Sequence, residues 1–181
     1  RGCCAPTPRS QRAGRRRVQT GIAVGIARSS RQGTDGQGKP SAGVVLCKRI
    51  ELDVGYIVFF TNYQSRKGRE LTAEPRAAAV FHWDALHRQV RIEGRAVRSP
   101  EDESDRYFAS RALDSRIGAW ASEQSSPLSS RGVLAEKVRE VAGRFGIEPG
   151  MKEGQVPRPA HWGGFRIWID GSRAGRRLEG T

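Results

Sequence analysis

The run Thr61-Asn62-Tyr63-Gln64-Ser65-Arg66-Lys67 sits where an apolar strand pattern gives way to a helical one. A helix N-terminus presents unpaired N–H groups and a partial positive charge, so it attracts phosphate. Thr61 and Ser65 add hydroxyl donors, and Arg66 and Lys67 add charge-assisted ones. The same residues also read as a capped helix with solvated charges. A second cluster holds Tyr107, Arg111 and Ser115. Its first two members are one helical turn apart and share a face. A phenol, a guanidinium and a hydroxyl suit an oxyanion or phosphate, with a plain surface helix as the competing reading. Lys48 ends an apolar strand, where a lysine either snorkels outward or faces a ligand. Gln89 opens another strand and offers its amide to a heterocycle or to a sheet edge. Gln124-Ser125-Ser126, before Pro127, is a polar turn with no chemistry of its own.

Other chemistries find little support. His82, His87 and His161 have no metal-ligand spacing. No G-x-S-x-G, Walker A or G-x-G-x-x-G is present. Glu101, Asp102 and Glu103 read as helix-start charges rather than as a general acid and base. Cys3 and Cys4 are adjacent and Cys47 stands alone, so neither a disulfide framework nor a metal site is expected. Sparse cysteine fits a reducing, cytoplasmic compartment. Cys47, in an apolar strand, reads as a small apolar side chain.

The elements that must carry these groups are strands first and helices later. Val44–Lys48 and Gly55–Thr61 read as two strands joined by a hairpin. Ser65 caps a helix to about Ala73, with Pro75 beyond its end. Ala77–Trp83 and the alternating Gln89–Val97 are further strands. Ser99-Pro100-Glu101-Asp102 predicts a helix with Ser99 as cap and Pro100 at its first position, running to about Arg111. Helices follow over Ser115–Ser122 and Ser130–Phe145, the latter with Leu134, Val138, Val141 and Phe145 near one face and Gly146 as its stop. Residues 147–160 read as a loop and Phe165–Ile169 as the last strand. The order predicts an α+β fold, a mostly antiparallel β-barrel with peripheral helices.

The chain of 181 residues carries net charge +13, but unevenly. Residues 1–33 hold eight Arg and no acid, and 171–181 hold three Arg and one Glu, which leaves +3 for 34–170. Nucleic acid is therefore not the expected partner of the central domain, despite the basic total. No stretch approaches the ~20 apolar residues of a membrane span. Three domain segments are expected: a basic tail at 1–33, a folded domain at 34–170 and a basic tail at 171–181. The first 33 residues fit a disordered tail, a transit peptide or an aberrant reading of the coding sequence, and a short strand within Gly21–Ala27 stays open.

Taken in order, several blocks resemble the pyridoxine (pyridoxamine) 5′-phosphate oxidase family. They are Ser41–Lys48, Phe59–Gly68, Arg88–Gly94, Tyr107–Arg111, Asp114–Trp120, Gln124–Ser126, Val156–Pro159 and Trp162–Gly164. The resemblance covers about 35–170. It implies an FMN-binding split β-barrel with FMN at a homodimer interface. The implied activity is oxidation of pyridoxamine or pyridoxine 5′-phosphate to pyridoxal 5′-phosphate. Hydride passes from substrate to flavin, and O₂ reoxidises the flavin to give H₂O₂. By matching position, Arg66 and Lys67 hold the FMN phosphate. Thr61, Gln89, Gln124 and Ser125 also contact FMN, and Val44, Val45, Leu46, Cys47, Lys48 and Phe60 line it. Lys48, Tyr107, Arg111 and Ser115 bind the substrate phosphate. No side-chain nucleophile is required, because the flavin carries the redox chemistry.

The sequence also departs from the family pattern. Gly43 stands where the family usually has Arg, and Phe60 replaces a common Tyr. After Arg166 the family continues to a flavin-contacting Trp and an Arg-Leu-His-Asp-Arg segment. This chain has Asp170-Gly171-Ser172-Arg173-Ala174-Gly175-Arg176-Arg177-Leu178-Glu179 instead. Those terminal roles are not transferred. Impaired turnover is the expectation, with a non-catalytic FMN- or pyridoxal-phosphate-binding barrel as the alternative.

Overall fold

The computed structural model describes residues 22–27, 41–122 and 130–176. In chain order the elements are β1 (Ile22–Ala27), β2 (Ala42–Glu51), β3 (Tyr56–Asn62), α1 (Arg66–Ala73), β4 (Arg76–Trp83), β5 (Arg88–Arg98), α2 (Glu101–Ala109), α3 (Leu113–Ala121), α4 (Arg131–Arg144) and β6 (Trp162–Arg176). The strands close into an antiparallel barrel in the order β1-β2-β3-β6-β5-β4, and β1 pairs back onto β4 through Val24↔Phe81 to Ala27↔Ala78. This is the α+β barrel with peripheral helices that the element order predicts.

Alternation decides which side chains fill the barrel. On β2, Val45 and Cys47 point inward, while Val44, Leu46 and Lys48 point out. On β5, Ile92, Gly94 and Ala96 are the buried positions. Phe59 and Phe165, stacked with centroids 5.8 Å apart, and Ile57 and Ile167 complete the interior. β3 is apolar on both faces because its outer side is covered as well. There Phe60 joins a second core of Phe108, Leu113, Ile117, Val156 and Trp162, formed by α2, α3, the loop before β6 and the start of β6. The sheet is thus sandwiched between the barrel interior and the helices, and the seam at β3 and β6 is where a site can be walled on several sides.

Three local findings differ from the sequence reading. Ser99 is not a helix cap. Its N–H continues the β5–β6 pairing by donating to the Gly164 carbonyl, so Pro100 takes the N-cap position without a side-chain bond. α2 ends at Ala109 rather than near Arg111, and α3 begins earlier, at Leu113. The last strand runs on to Arg176, because β5 is long enough to pair Arg88–Glu93 with residues 171–176. Ile22–Ala27, where a short strand stayed open within the expected basic tail, forms the strand that closes the barrel.

Gly94 marks the bulge between the two halves of the β5–β6 pairing. A Cβ there would overlap the Trp168 carbonyl oxygen, so only glycine lets the strands approach. Among the described residues no helix is long and apolar enough to cross a membrane.

Candidate active site

The first cluster is held by a fully bonded turn between β3 and α1. Asn62 Oδ1 accepts from the Gln64 N–H at 2.7 Å, and the buried Ser65 hydroxyl donates to the Asn62 carbonyl at 2.7 Å. Ser65 also caps α1 by accepting from the Gly68 N–H. Gly68 lies so close to the turn that a Cβ would overlap the Asn62 and Tyr63 carbonyl oxygens. These contacts fix the first turn of α1, and with it the two cations, which then diverge. Lys67 is half-buried, and its Nζ donates to Thr61 Oγ1 at 3.4 Å. Burial pulls its pKa below the ordinary lysine value. Arg66 turns along the helix and donates to the buried Glu70 at 2.9 Å.

The second cluster lies at the junction of α2 and α3. Arg111 falls in the connection between the helices, so the shared helix face of the sequence reading is replaced by a turn that brings Tyr107, Arg111 and Ser115 to the same place. Tyr107 stacks on Phe60 at 4.0 Å, and Phe60 stacks on Trp162 at 5.5 Å. Lys48 Nζ lies over the Tyr107 ring at 5.8 Å, and the Arg111 guanidinium lies over Trp162 at 4.7 Å. Arg111 Nη1 is buried without a hydrogen-bond partner among the described residues. Burial lowers the guanidinium pKa, opposed by the neighbouring Tyr107.

The two clusters open into one cavity of about 710 Å³, a size suited to a small-molecule ligand. Val44, Val45, Leu46, Lys48, Phe60, Thr61, Lys67, Tyr107, Arg111 and Ser115, all expected at the site, line it. Three expected residues do not. Cys47 faces the barrel interior, where burial raises its thiol pKa. Arg66 is engaged by Glu70, and Gln89 is exposed on β5 opposite His82 of β4. Gln124 and Ser125 lie outside the described residues.

The cavity also takes in residues the sequence reading did not assign. Asn62 belongs to the structured turn. Ser115, Gly118, Ala119 and Ser122 follow an i, i+3, i+4, i+7 pattern of small side chains, which was the available signal for the α3 face. Trp162 carries no periodic signal, because it is the first residue of its strand. Among the described residues no group of His, Cys, Asp and Glu is arranged to hold a metal ion.

Two cations beside hydroxyls, with an aromatic wall between strand and helices, have the chemistry that a phosphorylated flat ring requires. A family model described as pyridoxamine 5′-phosphate oxidase matches residues 32–145. The chain belongs to this oxidase family. It is 56% identical over 133 residues to the pyridoxine/pyridoxamine 5′-phosphate oxidase of Burkholderia thailandensis, covering 74% of this chain and 58% of that protein. The Burkholderia pseudomallei protein of the same name is 55% identical over the same coverage. The chain therefore spans 58% of the length of these curated relatives.

Among solved structures, PhzG from Burkholderia lata 383, in complex with tetrahydrophenazine-1-carboxylic acid, aligns with a TM-score of 0.71 and 28% identity, covering 85% of this chain and 69% of that one. A pyridoxamine 5′-phosphate oxidase-related, FMN-binding protein from Nostoc punctiforme aligns with a TM-score of 0.61 and 11% identity, covering 84% and 74%. The latter likeness concerns the fold, which is the split barrel of the oxidase family.

Proposed function

We propose that this chain binds FMN and oxidises pyridoxamine or pyridoxine 5′-phosphate to pyridoxal 5′-phosphate, with O₂ as electron acceptor. The observation that carries the reading is the single cavity with two cationic poles, Lys67 with Thr61 and Arg111 with Tyr107 and Ser115. The donor set fits FMN: Lys67, Thr61 and the start of α1 suit its phosphate, and Val44, Val45 and Leu46 offer an apolar wall for its ring. When bound, FMN supplies the hydride acceptor and the reaction with O₂. Arg111, Tyr107, Ser115 and Lys48 hold the substrate phosphate, and the small side chains of α3 leave room for its ring. Lys67 carries the first share of the FMN phosphate charge, because Arg66 is engaged by Glu70.

A homodimer belongs to the same reading. Val44 and Leu46, on the cavity rim, are 73% and 49% exposed, an apolar edge that a second copy would cover. Gln89, Gln124 and Ser125 stay assigned to FMN as contacts from outside the described cavity.

Turnover tests the reading directly. Protein loaded with FMN is expected to form pyridoxal 5′-phosphate from pyridoxamine 5′-phosphate, with matching O₂ consumption. Bound FMN without product would leave a binding module instead. Preference for a carboxylate-bearing ring over a phosphorylated one would move the substrate class towards that of the PhzG ligand.

Two further outcomes are expected. A Cβ at Gly43 would rest 3.8 Å from Lys67 Cε, so position 43 borders the same anion pole and has room for a side chain. Gly43→Arg should tighten FMN binding about tenfold by one charge-assisted contact, read by quenching of flavin fluorescence. Unchanged affinity would mean that position 43 does not face the phosphate.

The second outcome concerns pH. FMN affinity should fall on the alkaline side as Lys67 loses its proton, and at lower pH than an ordinary lysine would dictate, since burial lowers its pKa. Lys67→Arg should abolish that fall, because a guanidinium stays charged. An alkaline limb that persists in Lys67→Arg would assign it to another group.

A further inference from the structure

Several arginines among the described residues are held by carboxylates: Arg49 and Arg166 by Glu103, Arg66 by Glu70, Arg106 by Asp102 and Arg158 by Asp105. Arg111 is held differently. Its guanidinium lies 4.7 Å from the Trp162 ring and 5.5 Å from the Phe108 ring, and its Nη1 is buried with no hydrogen-bond partner among the described residues. A carboxylate would fix the arginine but occupy its N–H donors and cancel its charge. An aromatic face attracts the cation through its quadrupole and leaves the donors, which lie in the guanidinium plane, free for an incoming anion.

Trp162 is well placed for this. Its backbone N–H donates to Pro159, and its carbonyl accepts from Arg158 at 2.8 Å. Its ring stacks on Phe60 with planes 9° apart and meets Phe108 edge-on at 5.0 Å. Phe60 in turn stacks on Tyr107, over which Lys48 lies. The three rings form a rigid spine with a cation at each end.

We infer that Trp162 is a positioning residue that holds the Arg111 guanidinium over its ring face, unpaired and ready for the phosphate of the bound substrate. The inference rests on the proposed reading of Arg111 as a phosphate ligand and adds to it the means by which the arginine is kept open.

Calorimetric titration with pyridoxine 5′-phosphate and with pyridoxine separates the two. In the native chain the phosphorylated compound should bind more tightly; equal affinity would overturn the reading of the site and this inference with it. Given that preference, Trp162→Met should reduce the ratio of the two affinities by about 3- to 30-fold. Trp162→Phe, which restores a ring face, should recover most of it. General damage to the cavity would weaken both ligands and leave the ratio unmoved. An unchanged ratio in Trp162→Met would overturn the inference alone.

A readout on the native chain covers the case in which Trp162→Met does not fold. The Arg111 Nε–H proton, assigned by its loss in Arg111→Lys, should be displaced upfield by the ring current. A position typical of a solvated arginine would overturn the inference.

Discussion

Lys67→Met is expected to weaken FMN binding by about ten- to a hundredfold, the value of one charge-assisted hydrogen bond to a phosphate. Lys67 is half-buried, lines the cavity and stands beside Thr61 on the first turn of α1. Methionine keeps the apolar stem and removes only the charge. The fold should survive, because burial penalises the lysine charge in the folded state. The sign follows from the lowered pKa: the penalty is present below that pKa and is relieved as pH rises through it. The substitution is therefore neutral or stabilising at neutral pH. Arg66→Met is the informative partner. Its side chain is 56% exposed and paired with Glu70, so its loss should change FMN affinity by no more than about threefold. Flavin fluorescence titration of both variants reads the difference. A larger loss in Arg66→Met than in Lys67→Met would transfer the phosphate to Arg66 and require it to leave Glu70.

Arg111→Met is expected to raise the KM for pyridoxamine 5′-phosphate by about ten- to a hundredfold, with kcat and FMN affinity far less affected. The guanidinium is the second cationic pole of the cavity and carries a buried donor with no hydrogen-bond partner among the described residues. An anion that accepts from that donor relieves a desolvation cost as well as gaining a charge-assisted bond. Steady-state kinetics on FMN-loaded protein check the split. A fall in kcat with unchanged KM would place Arg111 in the reacting geometry rather than in phosphate binding.

Much of this was legible in the sequence where one short-range rule governed the outcome. Ser65 as cap, the end of α1 before Pro75 and the alternation on β5 follow from local hydrogen bonding and side-chain period, and all appear in the structure. The apolar outer face of β3 was also visible, as an unbroken run from Tyr56 to Phe60. Failures arose where long-range pairing overrode a local signal. Ser99 has the residue type of a cap, but the pairing of β5 with β6 claims its N–H. Residues 170–176 have a weak local pattern and become strand because β5 lies alongside, and the strand left open within Gly21–Ala27 forms through its partners β2 and β4.

The site divides in the same way. Thr61, Lys67, Tyr107, Arg111 and Ser115 stood out by residue type, but their assignment came from the family resemblance, since their spacing fits a capped helix and a surface helix face as well. That they share one cavity follows only from the packing of α2 and α3 onto β3. The diversion of Arg66 to Glu70 depends on Glu70 being buried and also bonded by Ser41. Trp162 left no trace in composition or period, because its part comes from rings and cations contributed by three separate elements.

The proposed function places Lys67 and Arg111 as the two anion poles of one flavin-and-substrate cavity. Titration of the purified, folded chain with FMN, followed by absorbance and fluorescence, tests it most directly. Saturable binding of one FMN per chain is expected, weakened by Lys67→Met and changed by no more than about threefold in Arg66→Met. Absence of saturable FMN binding to the folded native chain would contradict it.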